Sequence, residues 1–187
     1  MRLRLKQLAG IVIAVVAAAP GLPVAACGLE GGPGDSFGAA HPDSLGVAFA
    51  ARDAIDKGML ARDSALEATL AHDRADDRLR KLAAELPAPK AAASVAVLLV
   101  EAGTWTRLEP KAGTWAVTSH ADGPQRHDTT LVASELALRD LVGGRLSGIE
   151  SLARGLVVVS GDRRNREALV SALRQAYPGK ASTIALR

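Results

Sequence analysis

Aromatic side chains make up only 3% of the chain, there is a single cysteine, and the longest apolar run before a proline, residues 8–19, is too short to cross a bilayer as a helix. Each scarcity excludes something. Few aromatics leave few platforms on which nucleic-acid bases stack, and one cysteine cannot close a disulfide within the chain. The excess of 23 Lys and Arg over 20 Asp and Glu comes from Arg2, Arg4 and Lys6, so the chain beyond residue 26 has about zero net charge. Arg163, Arg164 and Arg166 form a local basic patch that reads as a solvated helix face. No nucleic-acid partner is expected.

Reactive constellations are equally sparse. Ser160-Gly-Asp162 is not G-x-S-x-G, and neither G-x-G-x-x-G nor a P-loop occurs. His120 and His127 flank a turn at Asp122-Gly123, with Asp128 beside the second, and a hairpin there would let them face each other. A tetrahedral metal site needs further ligands that the sequence does not offer. His41, beside Pro42, reads as structural at a helix entry, and His72 lies on a charged helix face. No metal, cofactor or enzyme class is expected.

What the sequence does carry begins with an export signal over residues 1–26: three basic residues, then the apolar run, then Val24-Ala-Ala. Cys27 follows, and V-A-A-C fits the bacterial lipobox, in which the cysteine is lipidated and becomes the new N-terminus. Two other readings stand beside it: ordinary cleavage after Ala26, leaving a free cysteine, and an incidental cysteine near the cleavage site. A lone thiol in an oxidising compartment is a liability unless modified, which favours lipidation. Residues 27–40, with five glycines between 28 and 38, have the composition of a flexible tether. The expected location is the periplasmic side of a bacterial membrane, or soluble in the periplasm or outside if Cys27 stays unmodified.

Residues 41–90 are expected to form a helical pair. In the first helix Leu45, Ala48, Phe49, Ile55 and Met59 share one face. Ser64-Ala-Leu-Glu67 fits a capping box for the second, with Ala68, Ala71, Ala75, Leu79, Leu82 and Leu86 inward and the charges at 73, 74, 76, 77 and 78 outward. Pro87 and Pro89 end it. From residue 91 strands are predicted at 94–101, at 103–108, at 114–119 with Trp115, Val117 and Ser119 on one side, and at 129–133, with a loop at 109–113. Ala-Gly-Thr-Trp occurs at 102–105 and again at 112–115. A hairpin centred near Lys111 would set Trp105 opposite Val117 and Arg107 opposite Trp115, the latter a cation–π pair. Alternatively the two indoles line a ligand cavity.

The stretch 138–162, LRDLVGGRLSGIESLARGLVVVSGD, is densely punctuated. Gly143-Gly144 ends a helix on Leu138, Leu141 and Val142. Ser147-Gly-Ile-Glu150 caps a short helix closed by Gly155. Residues 156–159 read as a strand buried on both faces. Gly161-Asp162 then turns into a helix with Ala168, Leu169, Ala172, Leu173 and Ala176 as its apolar stripe.

This order resembles the C-terminal half of the sterol carrier protein 2 (SCP-2) domain, a helix ending at L-x-x-L-hydrophobic-x-G, a short A-x-x-x-G helix, and a strand closed by G-D. The matching residues are Leu138, Leu141, Val142, Gly144, Leu152, Gly155, Val157, Val159, Gly161 and Asp162. The resemblance covers residues 91–187. It implies an α+β fold with a small antiparallel-dominated sheet covered by helices, preceded by the helical pair. It also implies an apolar cavity for a lipid or other apolar ligand, with Leu98, Val100, Trp115, Val117, Leu131, Leu141, Leu152, Val157, Leu169 and Leu173 as lining candidates. The helical pair departs from that pattern and opens a second reading, an envelope protein-interaction or accessory module with a filled core and no ligand.

Overall fold

In a computed structural model the described residues are 41–62, 71–88 and 93–179. The proposed export segment, Cys27, the tether and the Ser64 to Glu67 capping box lie outside them. The elements in chain order are α1 (Ser44–Asp56), α2 (Ala71–Glu85), β1 (Val95–Leu99), β2 (Thr104–Lys111), β3 (Thr114–Ala121), β4 (Thr129–Ala133), α3 (Glu135–Val142), α4 (Gly148–Ala153), β5 (Val157–Ser160) and α5 (Arg163–Ala176). Five strands form one sheet in the order β3-β2-β1-β4-β5. Three of its pairings are antiparallel, and β1 runs parallel to β4. The α+β class with an antiparallel-dominated, helix-covered sheet is what the structure has. No described helix is long and apolar enough to cross a membrane.

Every residue of β1 is buried, so both faces of the sheet centre need cover. On one face Val95, Val97, Leu99, Leu108, Leu131 and Val157 meet α2 (Ala75, Leu79, Leu82), α3 (Leu138, Leu141) and α5 (Leu169, Leu173). On the other, Leu98, Val100 and Val132 meet Val47 of α1. The back half of α1 continues through Ala51 and Ala54 onto Ala137, Leu146 and Leu156. The two N-terminal helices are therefore not a pair packed on each other. Each covers a different face of the sheet, and the described residues of 41–90 pack against the strands.

The inward face of α1 differs from the expected one. Ser44, Val47, Ala51 and Ala54 are buried, while Leu45, Phe49 and Met59 are exposed. Both stripes have helical spacing, and the small one wins because it brings the helix backbone close to the sheet. In α2 the inward positions Ala75, Leu79, Leu82 and Leu86 are as expected. Arg78, read as outward, instead turns in, and its guanidinium lies 3.8 Å from the buried Glu135 carboxylate.

The β2–β3 hairpin closes through a two-residue turn, Ala112-Gly113, both at positive φ (50° and 86°). Such turns match strand twist, and the one here sets Leu108 opposite Val117 and Pro110 opposite Trp115. The hairpin is thus not centred at Lys111. The register shift is odd, so Trp115 lies on the face covered by α2 and α5, whereas Trp105 packs on the α1 face beside His41, ring centroids 6.2 Å apart. No Arg107–Trp115 cation–π pair forms, because the two residues sit on opposite faces. Arg107 instead holds the β3–β4 connection: its Nη1 donates to Asp128 Oδ2 at 2.8 Å and its Nη2 to the Gly123 carbonyl at 3.0 Å. Residues 109–111, expected as loop, continue β2. Pro110 is tolerated because β1 begins at Val95, opposite Leu108, and asks no hydrogen bond of it.

Helix punctuation in the 138–162 stretch is as read. Ser147 Oγ accepts from Glu150 N at 3.0 Å, although the Glu150 carboxylate pairs with Arg154 at 3.0 Å. Gly144 and Gly155 close their helices at φ +68°. The strand at 157–160 departs from expectation: β5 is an edge strand whose last three residues are only half-buried.

Gly148 marks the tightest crossing, between α4 and α5. A Cβ there would stand 2.4 Å from the Leu173 carbonyl oxygen, a backbone atom that cannot rotate away. Gly148→Ala is expected to lower stability by about 1–3 kcal/mol, the usual range for overpacking. Urea unfolding of the two proteins measures the difference, and an unchanged midpoint would refute the close approach.

Candidate functional site

The candidate site is a cleft of about 180 Å³ between the first turns of α5 and the sheet. Asp162 positions α5: its Oδ1 accepts from Arg164 N at 3.0 Å and Asn165 N at 3.4 Å, so the helix begins at once after the turn. Gly161, at φ +124°, lets that turn pass over β4, where a Cβ would meet Asp128 O and Thr129 Cα at 3.2 Å. The first turns of α5 then stand above Val95 and Thr129, at the starts of β1 and β4. The side chains it offers there, Ala168 and Ala172, are too short to fill the gap. Trp115 of β3 forms a wall, and Pro87 and Ala93 also line the cleft.

The lining is mainly apolar, with Thr129, Asn165 and Arg164 as its polar members. Arg164 is exposed, whereas Trp115 is only 9% exposed. The indole Nε1 is buried without a hydrogen-bond partner among the described residues. The cleft offers an apolar enclosure, and none of its described lining residues are arranged as a nucleophile with a base.

Of the ten residues proposed to line a cavity, Trp115 and Leu169 line this cleft. Leu131, Leu141, Val157 and Leu173 are fully buried in the core on the same face of the sheet, with Val117 and Leu152 packed against it. Leu98 and Val100 are on the wrong face, under α1. In β1 all five side chains are apolar, so no alternation told which three face α5. Val95, Ala168, Ala172, Thr129, Asn165 and Arg164 were missed. Ala168 and Ala172 were legible as part of the inward stripe of α5, and their small size was the available signal.

His120 and His127 do not face each other across a hairpin, because β2 and β1 lie between β3 and β4. Both have left-handed backbones (φ 56° and 75°), and Asp128 is occupied by Arg107. Among the described residues no three His, Cys, Asp or Glu side chains gather as a metal site would require. His41 is structural, its Nδ1 accepting from Asp43 N at 3.2 Å at the entry to α1.

No family model and no curated protein sequence matches the chain. Among solved structures, it is similar to a UbiJ-SCP2 ubiquinone synthesis protein, with 18% identity over 71% of this chain and 96% of that one, TM-score 0.35. It is similar also to the sterol carrier protein domain 2 of Helicoverpa armigera, 21% identical over 63% of this chain and 86% of that one, TM-score 0.36. A third similar structure is the inverting sec-alkylsulfatase of Pseudomonas sp., 15% identical over 48% of this chain, TM-score 0.38; the match spans only 14% of the sulfatase.

One polar group with a perturbed titration is Tyr177, just beyond α5. Burial, and then the neighbouring Glu85 carboxylate, push its phenol above the ordinary tyrosine range. It is the only tyrosine in the chain, so its titration is read without interference. The unfolded chain releases the proton near pH 10 and the folded one holds it, so stability is unaffected below about pH 10 and falls above it. Phenolate absorbance is expected to appear only as circular dichroism reports unfolding. A phenolate midpoint near pH 10 with the fold intact would contradict the buried environment.

Proposed function

We propose that this is an exported, lipid-anchored, non-enzymatic protein that binds a lipid or other apolar ligand in the cleft between α5 and the sheet. The cleft itself carries the reading: an apolar enclosure walled by Trp115, Val95, Ala168, Leu169 and Ala172 on a well-packed scaffold. The resemblance of residues 138–162 to the SCP-2 domain, the V-A-A-C sequence at Cys27 and the balanced charge beyond residue 26 support it.

Volume bounds the ligand. About 180 Å³ is little more than the roughly 150 Å³ of an apolar protein cavity that holds benzene. It falls below the range of about 300–1,000 Å³ common for drug-sized ligands. The enclosed part is therefore small, one end of an acyl chain or a compact apolar group. Asn165 and Arg164, at the more open side, provide polar contacts for the part that remains outside. Leu131, Val157 and Leu173, all buried in the core on this face of the sheet, are consistent with a small enclosure.

Ala168→Trp tests the proposal, because an indole at this exposed cleft position fills the enclosure without disturbing the buried stripe below. Its affinity for a fluorescent fatty-acyl probe is expected to fall at least about tenfold, equivalent to roughly 1.4 kcal/mol. The thermal midpoint should stay near that of the parent, and Ser171→Trp, on the exposed side of α5, should bind as the parent does. A parent protein that binds no such probe would favour the alternative, a filled interaction module.

A further inference from the structure

The outer face of α1 carries a second surface with no assigned role. Leu45 and Phe49, one turn apart, are 52% and 67% exposed, with Pro42 and Gly46 exposed beside them. Phe49 is one of only two phenylalanines in the chain. The apolar character stops within two turns. Further along, Arg52 pairs with Asp56 at 2.8 Å and Lys57 with Asp53 at 2.6 Å, so the second half of the helix presents charge that is locally neutralised. The patch is confined to the end of α1 that residues 28–40 join to Cys27.

We infer that this N-terminal half of α1 docks on the surface of the bilayer that holds the lipid on Cys27. The inference rests on the reading of Cys27 as lipidated. The 13 residues from 28 to 40 reach about 45 Å at most, at roughly 3.5 Å per residue. A lipid on Cys27 therefore keeps the chain entering α1 within about that distance of the headgroups, and Leu45 and Phe49 stand in the first two turns of that helix. A single weak apolar contact does not hold a protein on a membrane, but combined with a lipid anchor it fixes orientation. Leu45 and Phe49 enter the headgroup boundary, and the charged second half of α1 stays in water. Because α1 covers one face of the sheet and the cleft opens on the other, docking turns the cleft away from the anchoring bilayer.

The test uses the full chain purified from its own membrane, with the mass of the mature protein reporting the modification of Cys27. A single cysteine placed by Phe49→Cys, or by Ser171→Cys on α5 as the control, carries an environment-sensitive NBD dye. Each protein is incorporated into vesicles of phosphatidylethanolamine and phosphatidylglycerol. Docking predicts a blue-shifted, brighter emission at position 49 on vesicles and none at position 171. Identical emission at 49 with and without vesicles overturns it. So does emission already blue-shifted without vesicles, since the patch is then covered by the chain itself or by a second copy. If the mass shows Cys27 unmodified, the anchor reading has failed and the docking inference falls with it, whereas an unshifted probe on a protein whose mass shows the lipid overturns docking alone.

Discussion

The structure is organised by the need to cover both faces of one strand. β1 is apolar on either side and lies at the centre of the sheet, and each fully buried Val or Leu contributes about 1.5–3 kcal/mol relative to exposure. Leaving either face in water would forfeit several such contributions. One face is met by three helices, α2, α3 and α5. The other is met by α1, whose small inward residues let it lie close. This places α1 and α2 on opposite sides of the sheet, so the N-terminal helices belong to the same core as the strands.

Charged groups fasten the connections around that core. Asp128 and Arg107 are both nearly buried and tie the β3–β4 connection to the middle of β2. Glu101 accepts from Ser134 Oγ at 2.6 Å and from Glu135 N at 2.7 Å, capping α3 from outside the helix. Asp140 takes Arg139 Nε at 2.8 Å and Arg145 Nε at 3.1 Å, holding the turn after α3. Such groups are costly to bury alone and specific when paired, which suits them to choosing one path for a connection over others. They account for much of the buried charge without recourse to an active site.

Local signals were legible wherever one residue type has one physical use. Ser147 and Asp162 cap helices, and Gly144 and Gly155 close them, because the backbone geometry at those positions accepts little else. Faces were harder. β1 has no polar member to mark its two sides, and α1 carries two apolar stripes, of which bulk pointed to the wrong one. The hairpin failed for a related reason: the repeated Ala-Gly-Thr-Trp drew attention to symmetry about Lys111, whereas the positive φ available at Ala112-Gly113 governs the register. A shift of three residues then moved Trp105 to the opposite face from Trp115. The site was less legible than the fold, since a cleft is defined by where helices end and by what side chains leave unfilled.

That last point explains why the cleft lies where it does. On its face of the sheet, α2 ends at Glu85 and α5 begins at Arg163, so among the described helices it is the first turns of α5 that stand over the starts of β1 and β4. Ala168 and Ala172 leave space there, whereas Leu169 and Leu173, the next residue after each, reach down into the core. A leucine at either alanine position would extend the packed interior to the rim. The space is therefore written into side-chain size on a capped helix, with Trp115 as the only aromatic among its described lining residues. Its walls are held by the same strands and caps that hold the fold. An occupant meets a preformed, mostly apolar surface and has little protein ordering to offset, the condition under which a small enclosure binds usefully.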